Sequence, residues 1–265
     1  MSKHILITGS TDGIGKLAAI KLAKEGHHLY LHGRSQHKLD TAIAQVKSQS
    51  GNENISGFVA DFSDLAQVKQ MAGQANQLAG LDVLINNAGV YNSSIQTGSN
   101  GIDLRMVVNY LAPYVLTSEL IPLLQRSEAP RIINLGSAAQ APVSLELMRG
   151  KQQTTEQQAY AQSKLALTMW SFHLAKVLED ISVIVVNPGS LLHTKMALEA
   201  FGNSWSSADK GAQIIFDLAV SDKHKGITGK YFDNDRGHYG EAHPDAYTQP
   251  KIEGLIQVTV GVSRH

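Results

Sequence analysis

Tyr160 and Lys164 stand four residues apart in the stretch YAQSK. On a helix that spacing places both side chains on one face, within reach of each other. A phenol titrates near 10 and is a poor base at neutral pH. A neighbouring ammonium stabilises the phenolate, and lowering its value by two to three units asks for roughly 3–4 kcal/mol. Such a pair can give or take a proton near working pH. Ser137, directly after Gly136, offers a hydroxyl that can hold a substrate oxygen and stabilise charge developing on it. Each residue also has an ordinary reading. A Tyr/Lys pair is often a helix-surface contact, a serine after glycine is a usual turn residue, and Asn109 in a helical stretch can bond backbone. Only their joint occurrence, on a scaffold that brings them together, points to a site.

A second constellation lies at the N-terminal end. Thr8-Gly9-Ser10-Thr11-Asp12-Gly13-Ile14-Gly15 follows a strand-like run and opens a helix. Glycines at 9, 13 and 15 allow a tight turn and close backbone approach, and a helix N-terminus offers free N–H groups to phosphate. A Gly-rich loop alone is weak evidence. Its position between first strand and first helix is the context that makes it a dinucleotide site. At the end of the second strand, where a carboxylate would bind the 2′-hydroxyl of NAD, the sequence has His32-Gly33-Arg34-Ser35. A guanidinium and a hydroxyl suit a 2′-phosphate, so NADP(H) is favoured over NAD(H). Asp12 in the loop pulls slightly the other way.

These groups need a scaffold, and the chain supplies alternating elements. Strands are expected at 4–8, 28–33, 55–61, 82–86, 131–136, 182–187 and 229–233. Helices are expected near 14–25, 36–50, 64–79, 102–125, 157–179 and 206–220. The strand runs are nearly continuous in apolar residues, as in parallel sheets buried on both faces. The expectation is an α/β protein: a single-domain Rossmann fold over 1–265, a doubly wound parallel sheet of about seven strands with helices on both faces. The stretch 234–265, with Gly237, Gly240, Pro244 and Pro250, reads as an irregular tail.

Composition narrows the chemistry. The chain has 265 residues, 43% of them hydrophobic, with 23 Lys+Arg against 23 Asp+Glu and no cysteine. Disorder and phosphate-neutralising nucleic-acid binding both lack their usual charge surplus. Thiolate zinc sites, iron–sulfur clusters and cysteine nucleophiles are excluded. Among eleven histidines, His238 and His243 match no ligand spacing, so no metal is expected. No run reaches the roughly 18 apolar residues of a membrane span, and no signal-peptide pattern opens the chain. A cytoplasmic protein without a membrane span is the expectation.

Taken in order, TGSTDGIG (8–15), NNAG (86–89), Ser137, YAQSK (160–164) and NPG (187–189) resemble the short-chain dehydrogenase/reductase superfamily over nearly the whole chain. The resemblance implies a hydride-transfer site built from Asn109, Ser137, Tyr160 and Lys164. It gives Asn109 a water that links Lys164 to solvent, and Lys164 a second bond to the nicotinamide ribose. The cofactor-binding residues it implies are Gly9, Ser10, Thr11, Asp12, Gly13, Ile14, Gly15, Arg34, Ser35, Asp61, Phe62, Asn87, Ala88, Gly89, Tyr160, Lys164, Pro188, Gly189 and Thr194. Within that set Asp61 resembles the adenine-binding residue, Asn87 and Gly89 a wall of the adenosine half, and Pro188-Gly189 the turn beside the nicotinamide. Thr194 could bond the carboxamide, or simply cap a helix.

The long gap between Ser137 and Tyr160, the HGR ending, YAQSKLAL and GITGKYFD (226–233) make the chain similar to the retinol-dehydrogenase-like branch. Membrane-bound members of that branch carry an N-terminal anchor and none is read here, so retinoid activity is not inferred. The region after NPG resembles a mobile lid. Leu198, Phe201 and Trp205 there suit a substrate with an apolar body, or just pack the lid down, and His193 is a candidate substrate contact. Helices 102–125 and 157–179 are apolar on more than one face, which together with the resemblance suggests a homodimer or homotetramer. The expected partner is a small-molecule carbonyl or alcohol. Two other readings are a catalytically silent NAD(P)-binding regulatory protein and an extended-fold epimerase or dehydratase. The first has no need of the four-residue set, and the second fits the glycine spacing and short C-terminal region poorly.

Overall fold

Alternation within the apolar runs decides which side of a sheet each residue faces. In the computed structural model, which describes residues 2–202 and 206–263, the runs become β1 (His4–Ile7), β2 (His28–Gly33), β3 (Ile55–Val59), β4 (Val83–Asn86), β5 (Arg131–Leu135), β6 (Ser182–Asn187), β7 (Lys230–Asp233) and β8 (His238–Gly240). They form one sheet in the order β3-β2-β1-β4-β5-β6-β7-β8. The first seven strands are parallel, and β8 closes the edge antiparallel to β7. Ile5, Ile7, Val83, Ile85, Ile184 and Val186 face one layer, with α1 (Gly13–Lys24), α2 (Gln36–Ser50) and α9 (Ala208–Val220) packed on them. Leu6, Leu84, Ile132, Val183 and Val185 face the other. That layer holds α3 (Leu65–Ala75), α5 (Ala112–Leu124) and α7 (Glu156–Val177).

Strand order reverses between β1 and β4, so the crevice beyond their carboxyl ends is where an open α/β sheet takes its ligand. One helix feeding that crevice is irregular. α4 (Leu104–Met106) runs through a π turn, Val107–Leu111, into α5, and Ala112 N–H bonds the Val107 carbonyl five residues back. The wide turn holds Asn109, as π turns often do at sites. By length and composition Leu104–Leu124 could cross a membrane, but 67% of its most apolar window is buried inside the fold.

Two elements depart from expectation. α6 (Leu145–Met148) forms inside the long gap before Tyr160, capped by Ser144 and tied to α7 by the Gln162 side chain, which accepts Ser144 N–H at 2.8 Å. The stretch 234–265 is ordered rather than irregular over its described residues: β8, a 3-10 turn at Pro244–Tyr247, and α10 (Gln249–Val262). Its prolines stand in the first turns of these helices, where the missing N–H costs nothing, so they start elements instead of breaking them. Ile252 and Leu255 of α10 join the core, and Thr259 Oγ1 bonds the buried Tyr110 hydroxyl at 2.7 Å. Part of the surplus apolar face of α7, Phe172 included, is thereby covered by the chain's own C-terminal segment, while Trp170 packs against Tyr110 and Tyr114.

Candidate active site

The loop after β1 is locked from two sides. Gly9 has φ 62°, and a Cβ there would lie 2.7 Å from the Ala88 Cα. A Cβ on Gly15 would lie 2.4 Å from Asn87 Nδ2. These glycines let the NNAG turn close against the loop. Asn87 then donates its amide to the carbonyls of Thr8 and Gly9, each at 2.8 Å, and Thr8 Oγ1 accepts the N–H groups of Asn87 and Ala88. The side chain of Asn87 therefore braces the loop. From the β2 side, Ser10 Oγ donates to Ile7 O and accepts from His32 N–H. His32 is buried. Its Nδ1 accepts Gly9 N–H at 3.0 Å, while Nε2 pairs with the Ala60 carbonyl and so carries the proton. Burial holds the ring well below its usual value, at about 4.

Around this loop the other expected groups take distinct places. Asp12 caps α1 by accepting Gly13 N–H. Thr11 packs over Gly33, and Ile14 and the buried Gly15 lie in the first turn of α1. Arg34 is exposed and makes no hydrogen bond or ion pair among the described residues. Ser35 stands at the N-cap of α2 without spending its hydroxyl there. Asp61 accepts Ser63 N–H, and Phe62 is buried with its ring stacked on His32 at 4.2 Å. Thr194 caps α8 (Lys195–Phe201) through Ala197 N–H, and its methyl is 3.9 Å from where a Gly13 Cβ would stand. The side chain of Phe201 and all of Trp205 lie outside the described residues. His193 is exposed.

At the other end of the crevice the four chemistry-bearing residues converge. The Tyr160 phenol is hydrogen-bonded by the Ser137 side chain. Lys164 Nζ is 5.6 Å from the Tyr160 ring centre, buried, and donates to the Leu135 carbonyl at 2.7 Å. Asn109 accepts Val90 N–H at 2.8 Å and donates to Val90 O and Ser163 Oγ, each at 3.0 Å. A Cβ on Gly89 would stand 3.4 Å from Asn109 Oδ1 and 3.7 Å from Lys164 Nζ, so this glycine lies beside the lysine. Burial lowers the Lys164 ammonium to about 8. Burial also pushes the Tyr160 phenol up, and its bond to Ser137 only partly offsets this. The expected depression by Lys164 is not the net result here, because that ammonium is turned to the Leu135 carbonyl. In this state the phenol is a protonated acid at neutral pH.

Residues that the sequence analysis gave no site role hold the site in place. Tyr231 and Gln140 donate to the Ser137 carbonyl at 3.0 and 2.9 Å, fixing its backbone. The Pro188-Gly189 turn is braced by Asp235, which accepts from Ser190 N–H, Ser190 Oγ and Asn187 Nδ2. These bonds keep the Asp235 carboxyl below its usual range despite partial burial.

The geometry has relatives. Residues 3–204 match the family model described as short chain dehydrogenase. The chain belongs to this family. Within it the chain resembles the retinol-dehydrogenase-like branch. It is 29% identical over 252 residues to human retinol dehydrogenase 13, covering 87% of this chain and 76% of that protein. It is 30% identical over 260 residues to the short-chain dehydrogenase chyC of Penicillium rubens, covering 96% and 95%. A short chain dehydrogenase of Escherichia coli CFT073, solved in complex with NADPH, superposes with a TM-score of 0.72 at 27% identity, covering 88% of this chain and 96% of that one. The family's members are oxidoreductases whose fold binds a nicotinamide cofactor. The glycine cradle fits such a group, since side chains at Gly9 and Gly15 would collide with the NNAG turn that shapes it.

Proposed function

We propose that the chain is an NADP(H)-dependent oxidoreductase that interconverts a carbonyl and an alcohol, on substrates with an apolar body. The observation that carries this reading is the convergence of Ser137, Tyr160, Lys164 and Asn109 at one end of the crevice whose other end is the glycine loop. Bound nicotinamide supplies or accepts the hydride. The chain's own groups handle the oxygen and the proton. Ser137 Oγ and Tyr160 Oη bracket the substrate oxygen, and Tyr160 gives its proton to the developing alkoxide in reduction or takes it back in oxidation. Lys164, with Nζ 5.6 Å from the Tyr160 ring centre, holds the phenolate that forms with its charge. Asn109, in the π turn, ties the Val90 loop to the catalytic helix through Ser163.

NADP(H) preference rests on two unspent groups at one place. Arg34 is unpaired, the Ser35 hydroxyl is unused, and both stand at the first turn of the fifteen-residue helix α2. Together they suit a 2′-phosphate. The apolar body is supported by Met196 and Leu198, exposed on α8 at 37% and 39%. A panel of carbonyls and alcohols, assayed with NADPH and NADH beside Tyr160→Phe, tests the assignment. The expected result is turnover that falls about 10²–10⁴-fold in the variant. Full activity of Tyr160→Phe on any active substrate rules out the acid/base role.

A further inference from the structure

Tyr91 follows the NNAG turn on the loop that leaves β4. Its ring lies 4.8 Å from that of Tyr160, inclined by 49°. That is the spacing of a true aromatic pair, in which tilted or offset rings attract. The loop is not free to drift. Val90, next in chain, is held on both its N–H and its carbonyl by Asn109. Five residues beyond Tyr91, Gln96 is bonded by the buried Arg105 at 2.9 Å, and Arg105 also pairs with Asp103 and with Glu156 in the first turn of the catalytic helix. Asn92 donates to the Glu199 carbonyl of α8 at 3.0 Å, so the same loop meets the lid. The tyrosine ring is thus fixed in position by the elements that carry Asn109 and Tyr160.

Ser137 and Tyr160 fix where a substrate oxygen must lie. The carbon attached to that carbonyl then has to pass beside whatever stands against the phenol ring, and that is Tyr91. Ile95 on the same loop is 58% exposed, and Leu198 is exposed on α8. An aromatic face gains most from a flat partner that can stack or meet it edge-on.

Resting on the oxidoreductase reading, we propose that Tyr91 is a specificity-determining residue: the aromatic wall of the substrate slot, selecting compounds whose reacting carbon is attached to a flat, aromatic or conjugated group. Saturated rings of equal size pack less closely on it. Tyr91→Phe keeps the wall, whereas Tyr91→Leu and Tyr91→Ala remove it.

The test uses a matched pair, benzaldehyde/benzyl alcohol against cyclohexanecarbaldehyde/cyclohexylmethanol. kcat and KM are measured for the intact chain and the three variants. In parallel, equilibrium binding of the two alcohols to the NADPH-saturated protein is followed by NMR line broadening, which needs no turnover. In the unsubstituted chain and Tyr91→Phe the aromatic member is preferred. In Tyr91→Leu and Tyr91→Ala its kcat/KM and affinity drop tenfold or more, while the saturated member changes less than threefold. Equal losses for both members make Tyr91 merely structural and overturn the proposal, as does an unchanged preference in binding. If the binding preference follows Tyr91 but neither pair turns over with any variant, the wall stands and the assigned reaction is what fails.

Discussion

The Gly9 N–H donates to His32 Nδ1 at 3.0 Å, which ties the turn of the glycine loop to the end of the neighbouring strand. With Nε2 given to the Ala60 carbonyl, both ring nitrogens are spent inside the protein. An imidazolium cannot accept from Gly9, so the bond exists only while the ring is neutral.

Acid should therefore weaken the fold through His32. Burial lowers its value from 6.5 to about 4. As pH falls below 6.5 the unfolded chain takes up the proton and the folded chain does not, so stability is lost across the window down to about 4. The loss amounts to about 3 kcal/mol. His32→Phe, which can keep the stack on Phe62, should be less stable at pH 7 because Gly9 N–H and Ala60 O lose their partner. Its stability should also fall less steeply in that window. Urea unfolding at pH 7, 5.5 and 4.5 reads both effects, and parallel pH slopes for the two proteins would refute the assignment.

Lys164 gives the opposite limb. Its ammonium, lowered from 10.5 to about 8 by burial, is charged at pH 7 and lost above about 8. Reduction leaves a phenolate on Tyr160, which that charge must hold, so carbonyl reduction should decline as pH rises through about 8. Lys164→Arg carries a guanidinium that stays charged, and whatever activity it retains should decline at a higher pH. Lys164→Met should lose about 10²–10⁴-fold below pH 8, and the gap should narrow above it, where the native lysine is itself neutral. A kcat profile whose alkaline limb is identical in the unsubstituted chain and Lys164→Arg would show that the limb belongs to another group.

Much of this was legible in the chain because it is local. The glycine loop, the apolar strand runs and the four-residue spacing of Tyr160 and Lys164 each sit in one short segment, and pattern reaches them. The clasp of His32 on Gly9 joins residues from two strands, and no periodicity marks a histidine at a strand end as a buried acceptor. The packing of Tyr91 against Tyr160 is equally non-local. In the tail, Pro244 and Pro250 read as breakers because a proline is ambiguous until the direction of the next helix is known. The surplus apolar residues of the catalytic helix were visible, but pattern alone could not say that the C-terminal segment of the same chain lies over part of them.

Arg34 supplies the test of cofactor choice. The guanidinium is exposed and unpaired, so its removal disturbs nothing else in the fold. Arg34→Ala should weaken NADPH binding by about tenfold or more, the scale of a charge-assisted pair, and leave NADH binding nearly unchanged. Fluorescence titration of both cofactors decides it, and equal losses for the two would remove the basis for preferring the phosphorylated one.

Leu255 of α10 is fully buried in the core layer that holds Trp170, Phe172 and the Tyr110–Thr259 bond. A charge there cannot be accommodated without a partner, so Leu255→Asp should lift α10 rather than bury the carboxylate. The face uncovered is the apolar side of α7, and exposed patches of that kind associate. The expected outcome is a shift to larger species by light-scattering chromatography, with the helical circular dichroism of the remaining sheet and helices largely kept. Gln257→Asp, at an exposed position of the same helix, serves as the control and should elute unchanged. If Leu255→Asp elutes as the unsubstituted chain does and is equally stable to heat, then α10 is not what shields this face.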